Sequence, residues 1–250
     1  MKTSPLSATR RARGFTSVEI VISMSIAVLV LGLALGAFLF GLRAMYKDNV
    51  RLQTNADLRY FMAQMSKETL DSSEFYIFPS YRSLNGSVIL ATAVSALGTD
   101  VYGTDIAYGD CVVLVTRTAV TSDAAVRKFR IYYRVASVAN RNNEAPIRFY
   151  ESADYGTASP HFTTAQFEAL LNAVNLDTTP GFAGSRNIAK RAKGRPIPGS
   201  GSYYPIFSSE SPTTSSANES FSINVEFING TTANNLLSSS SFNYTVSPRR

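Results

Sequence analysis

From Ile20 to Leu42 the chain runs for 23 residues without a charge. At about 1.5 Å per residue a helix of this length reaches ~35 Å, enough for the ~30 Å hydrocarbon core of a bilayer with some tilt. After Leu42 the pattern turns amphipathic. Leu58, Phe61, Met62 and Met65 recur at helical spacing, Arg51, Arg59, Lys67 and Glu68 fill polar positions, and no Pro or Gly interrupts before Pro79. This predicts a helix continuing to about Glu74, the methionines packing into a core. Continuous from Phe15, its ~60 residues would span ~90 Å.

From Tyr76 onward the period shortens to two. Candidate strands are Ser87 to Ala91, Cys111 to Thr116, Arg127 to Val135, Ile147 to Tyr150, Phe221 to Phe227 and Phe242 to Val246. Phe129, Ile131, Tyr133 and Val135 share one face of the third, and Arg130, Tyr132 and Arg134 the other, which predicts one dry face covered by the amphipathic helix and one wet face. Phe221, Ile223, Val225 and Phe227 repeat the alternation, closed by a turn at Asn229-Gly230. A second short helix is predicted from Thr164 to Asn175, with Thr163 and Gln166 at capping-box spacing and Phe167, Leu170, Leu171 and Val174 on one side. The Gly/Pro/basic stretch between Gly181 and Gly201 and the Ser/Thr-rich stretch from Ser208 to Ser220 read as surface loops. The expected fold class is α+β: a leader at 1–14, a long helix at 15–75, and a β-rich domain at 76–250 large enough for one core.

The ends of the apolar run carry the informative chemistry. It is preceded by Arg10-Arg11-Ala12-Arg13-Gly14-Phe15-Thr16-Ser17-Val18-Glu19 and followed by Arg43-Ala44-Met45-Tyr46-Lys47, with no small-residue site of the secretory kind after it. An acid beside a membrane span is costly, so Glu19 calls for a partner. Cleavage after Gly14 would create one, because the new amine of Phe15 lies four residues away on the same helical face.

Arg13-Gly14-Phe15-Thr16-Ser17-Val18-Glu19 with the apolar run resembles the cleavage and methylation signal of type IV prepilins and of the pseudopilins of type II secretion. Ser17 stands where that family usually has Leu. The resemblance implies a pilin-like fold, cleavage by prepilin peptidase after Gly14 and N-methylation of Phe15. It implies that Glu19 neutralises the terminal amine of a neighbouring pilin or pseudopilin subunit, that an inner-membrane assembly platform is a further partner, and that the chain sits in the inner membrane and membrane lipid before entering a filament. Many members have a Pro midway along the apolar half; here Gly32, Gly36 and Gly41 occupy that region, and Gly32 with Gly36 forms a small-xxx-small pair suited to close helix packing. The strand pair Lys128 to Val135 and Ile147 to Tyr150 resembles that of larger minor pilins and J-type pseudopilins. The alternative is a single-pass membrane-anchored binding module, oriented by its basic flank, whose β-rich domain captures DNA or another ligand without joining a filament.

Composition narrows the remaining classes. Of the formal charge of +6, four cations lie in the leader, so the mature chain carries +2 and nucleic-acid binding gains little from the basic balance. Cys111 is alone, so no internal disulfide forms, and its setting in Cys111-Val112-Val113-Leu114-Val115 predicts a buried, inert thiol. With one histidine, His161, and neither a dinucleotide nor a phosphate-loop fingerprint, no enzyme activity is expected. Asp100, Asp105 and Asp110 in the Gly98–Asp110 stretch offer oxygen ligands for calcium, but Gly and Asp are also ordinary turn formers and the spacing is not that of an EF-hand; no resident cofactor is expected. Lys190-Arg191-Ala192-Lys193-Gly194-Arg195 is the one run to weigh for DNA, read otherwise as a solvated loop.

Overall fold

The structure is a computed structural model that describes residues 15–81, 97–99, 105–118, 126–135, 143–155, 169–171, 173–174, 185–197, 199, 203–209, 220–230 and 238–248. The leader, the candidate strand at Ser87 to Ala91, Asp100, His161 and the proposed cap at Thr163 lie outside these residues. The chain divides into two compact units, Met1–Asp48 and Asn49–Arg250.

Helix α1 (Ser17–Leu70) supplies the described part of the first unit and opens the second. In the first unit its apolar side chains are exposed all round, Ile22, Leu29, Leu31, Phe38 and Phe40 among them. A helix apolar on every side is stable only inside a membrane or a larger assembly. Ser25, one of two serines in the apolar run, donates its hydroxyl to the Val21 carbonyl at 2.8 Å, which satisfies it within the helix.

In the second unit the helix has two faces. Leu58, Phe61 and Met65 are buried, and the Phe61 ring meets Phe227 at 5.5 Å and Tyr132 at 6.1 Å between centroids. The helix stops at Leu70, a turn short of Glu74. The Ser72 amide and hydroxyl both donate to the Thr69 carbonyl, and the Ser73 amide is captured by the Val115 carbonyl, which starts the sheet.

Among the described residues all strand pairs are antiparallel. The strands are β1 (Glu74–Phe78), β2 (Leu97–Thr99), β3 (Asp105–Gly109), β4 (Cys111–Arg117), β5 (Val126–Arg134), β6 (Ala145–Glu151), β7 (Ser185–Gly194), β8 (Phe207–Ser209), β9 (Phe221–Asn229) and β10 (Ser238–Val246). Their order is β1-β4-β5-β6-β7-β9-β8-β3-β2, with β10 along the other edge of β9. Only Asp110 separates β3 from β4, so the circuit of pairs from β4 through β5, β6, β7, β9 and β8 returns at β3 to the segment it left. A sheet that curls this far needs close backbone approaches where it turns. A Cβ at Gly109 would lie 1.8 Å from the Phe78 carbonyl oxygen, and one at Gly194 would lie 1.7 Å from that of Tyr204.

Both faces of the sheet are covered. The Phe61 and Met65 side packs on Val112, Leu114, Tyr132, Phe149, Phe221 and Phe227, while Val113, Phe129, Ile131 and Tyr133 pack on the opposite side with Tyr81, Leu171 and Val174. The expected orientation of β5 is therefore reversed: the helix covers the Arg130, Tyr132 and Arg134 face. The Phe129, Ile131 and Tyr133 face is not left wet, because a second apolar cluster closes it. Of the short helix expected from Thr164 to Asn175, residues 169–171 and 173 are helical, Val174 is described but not helical, and the rest lies outside the described residues.

A second correction concerns the stretch from Gly181 to Gly201. Its residues Ser185–Gly194 form β7, an interior strand between β6 and β9, not a surface loop. Its Ala189 and Ala192 face the core, and register shifts in its pairing with β6 accommodate the irregular pattern.

Candidate functional site

The first residues of the helix form a closed hydrogen-bonded cap. The Thr16 amide donates to Glu19 Oε2 at 2.9 Å, the Thr16 hydroxyl donates to the same oxygen at 3.0 Å, and the Glu19 amide donates back to Thr16 Oγ1 at 3.3 Å. The Ile20 amide donates to the Thr16 carbonyl at 3.2 Å, the first turn of the helix. This is a capping box, with Thr16 as N-cap and Glu19 at the third helical position. The spacing Thr16-Ser17-Val18-Glu19 announces it, and it gives Glu19 a partner within its own chain beside the new terminus that cleavage would supply. Phe15 is exposed, at 80%, immediately before the cap. The carboxylate is thus held at the start of the helix, beside the residue that cleavage after Gly14 would make the terminus. Glu19 Oε1 receives neither of the Thr16 bonds.

Gly32 and Gly36 have no side-chain or backbone neighbour within 4 Å of a built Cβ. They leave a shallow strip along the helix on which another helix can approach.

In the second unit the charged residues are mostly spent on one another. Arg134 and Asp110 form a fully buried pair, with Nη2 2.6 Å and Nε 3.2 Å from Oδ2; the guanidinium also donates to the Asn143 carbonyl at 2.8 Å. The other Asp110 oxygen accepts the Ile206 amide at 3.2 Å. Asp110 thereby ties β5, the β3–β4 corner and the approach to β8. It is committed to this corner, not presented to a cation; Asp105 lies in β3 and Asp100 lies outside the described residues. No group of three His, Cys, Asp or Glu arranged for a metal occurs among the described residues. Cys111, next in the chain, is buried, and burial together with Asp110 pushes its thiol well above the usual range, as an inert core thiol requires.

Arg130 is a hub. Its guanidinium reaches Glu68 at 2.6 Å, Asp71 at 2.9 Å and Glu151 at 3.0 Å. The Nε hydrogen is directed to Glu151, so Glu68 lies close to the nitrogen without its hydrogen bond. Burial then outweighs the Arg130 charge and raises the Glu68 carboxyl above its ordinary range. Glu151, bonded to Lys128 and Arg130 and less buried, is held below it.

Two of the four cations in the run from Lys190 to Arg195 are neutralised within β7. Arg191 pairs with Glu144 and donates to the Gly230 carbonyl, and Lys193 lies 3.6 Å from Glu226 and over the Tyr203 ring. Lys190 and Arg195 remain exposed. Two exposed cations, one on β7 and one just beyond it, are a slender basis for a phosphate-binding surface.

The chain was compared with protein-family models, with curated proteins and with solved structures, and none of the three returns a match. What the described residues display is one helix long and apolar enough to cross a membrane, near the N-terminus, and an antiparallel β-rich domain in a loosely pilin-like layout.

Proposed function

We propose that this chain is a structural subunit of a type IV pilus or type II secretion pseudopilus, of the minor kind, processed by prepilin peptidase. The chain enters the inner membrane through its apolar helix, is cut after Gly14, is methylated on Phe15, and joins a filament by packing that helix among those of other subunits on an assembly platform. It performs no reaction; Gly14 and Phe15 are the substrate of another enzyme. The observation that carries the reading is the carboxylate of Glu19, fixed by Thr16 at the first turn of a helix whose apolar side chains in the first unit are exposed all round. A positive terminus on a neighbouring subunit would meet that carboxylate in an apolar surrounding, where an ion pair is strong.

The capping box supports a second reading, a single-pass anchor in which Glu19 only closes its own helix and the β-rich domain acts alone in capturing DNA or another ligand. Gln serves as well as Glu in a capping box but carries no charge. Under the filament reading, Glu19→Gln keeps membrane insertion and cleavage but loses assembly as Glu19→Ala does. Normal filament incorporation of Glu19→Gln would leave the cap as the residue's only role.

A further inference from the structure

The turn signal Asn229-Gly230 carries a reactive pair of groups. A backbone nitrogen reaches the side-chain amide carbon of the preceding asparagine most easily when its own residue has no Cβ to stand in the way, and Gly230 has none. Within a strand, extended backbone keeps the two atoms apart. Asn229 is the last residue of β9, and Gly230, just beyond it, has a φ of 89°, which turns the chain off the extended path. Both residues are half-buried, so water reaches them. The Arg191 guanidinium donates to the Gly230 carbonyl at 2.7 Å, and a cation against this residue favours the ionised form of its peptide nitrogen. The Asn229 amide is loosely held: Nδ2 lies 3.5 Å from Asp57 Oδ2 on α1, at the outer limit of a hydrogen bond. Asp57 has no ion pair among the described residues.

We propose that Asn229 is a self-modifying residue, converted with Gly230 through a succinimide to aspartate or isoaspartate, and that the acid so formed loosens β9 from helix α1 at Asp57. The Gly230 nitrogen gives up its proton and bonds to Asn229 Cγ. The bond from Cγ to Nδ2 breaks, and that nitrogen leaves as ammonia, carrying the proton. Water then opens the ring at either carbonyl, giving aspartate at one and isoaspartate at the other. One amide and one water thus become one acid and one ammonia, and no oxidant or reductant is needed. Before the reaction the contact at Asp57 joins a donor to an acceptor; afterwards a carboxylate faces a carboxylate across the same gap, and like charges there repel. Isoaspartate adds a methylene to the backbone as well. The reaction concerns the second unit and proceeds whether or not the chain is cut after Gly14.

The test follows the full chain in mild detergent at neutral pH, folded and in urea, and maps the peptide containing Asn229 by mass over time, with isoaspartate read by an isoaspartyl methyltransferase. The expected result is conversion of Asn229 in the folded chain at a rate within about tenfold of the unfolded one. Asn187, Asn224 and Asn243, which lie inside β7, β9 and β10 and precede Ile188, Val225 and Tyr244, stay unconverted in the folded chain. A slower folded-state rate at Asn229, or equal conversion at the strand asparagines, would overturn the inference. For the contact with α1, Asn229→Asp is expected to lower the melting temperature by a few degrees, and Asp57→Asn added to it to restore the loss. No loss, or a loss that Asp57→Asn leaves in place, would contradict the proposal. Should Asn229→Asp fail to accumulate, the converted and unconverted fractions of the unaltered chain, and of Asp57→Asn, are separated by charge and melted side by side.

Discussion

Glu19 shows how much one side chain can be asked to explain. Thr16 holds it through two hydrogen bonds to a single oxygen, and this local geometry was open to reading in the spacing of the two residues. What the residues alone leave open is whether the carboxylate has a second duty, and the Glu19→Gln and Glu19→Ala pair separates cap from charge: both should lose filament incorporation, with Gln retaining helix and cleavage. Asp110 is the opposite case. Its position in a Gly/Asp-rich stretch suggested a turn or a calcium ligand, whereas its partners, Arg134 and the Ile206 amide, are remote in the chain. Removing one member of a buried pair strands the other, so Asp110→Ala should destabilise the second unit by about 3–5 kcal/mol, measured by urea unfolding of the full chain in mild detergent. Glu68 gives a pH signature. Its carboxyl is raised in the folded state, so the native form binds the proton more tightly than the unfolded chain, and the associated stability is present at low pH and fades as pH rises through the raised value. Glu68→Gln should therefore gain stability relative to the unaltered chain between about pH 4.5 and neutrality. A constant difference across that range, in melting temperatures taken at stepped pH, would contradict this.

At the scale of elements, strands with clear alternation were legible in the sequence: β4, β5, β6 and β9 lie close to their expected bounds, and β10 begins four residues earlier than expected. β1 was hidden because no Pro or Gly separates it from the helix; the break at Ser72 and Ser73 comes from capture by Val115, a contact remote in the chain. β7 was hidden because its core side is small, Ala189 and Ala192, and two of its cations, Arg191 and Lys193, are neutralised by Glu144 on the approach to β6 and Glu226 on β9, so it has the composition of a loop and the surroundings of an interior strand. The reversed face of β5 has the same origin: a period of two says that faces differ, not which one the helix will cover, and Arg134 is buried only because Asp110 meets it. The corner glycines give an element-scale test. Gly194→Ala drives a methyl into the Tyr204 backbone and should cost about 3 kcal/mol in the same unfolding assay, whereas Gly199→Ala, with open space around it, pays only for its positive φ. Equal and small losses at both positions would mean that the strand crossing is looser than described.

For the molecule as a whole, the sequence conveyed an apolar helix followed by an antiparallel sheet domain, and the architecture agrees with that at the level of class. The way the sheet closes on itself through Asp110 was not legible, because it depends on pairings between segments far apart in the chain. Function rests on events at the other end. Every part of the filament account, from the peptidase to methylation and the subunit contact at Glu19, requires a new terminus at Phe15, while a simple anchor requires none. Mass spectrometry of the N-terminus of the protein purified from its own host's membranes is the direct measurement. The account predicts a chain that begins at Phe15 and carries one methyl group on its amine; a chain that still carries the residues through Gly14 would contradict it.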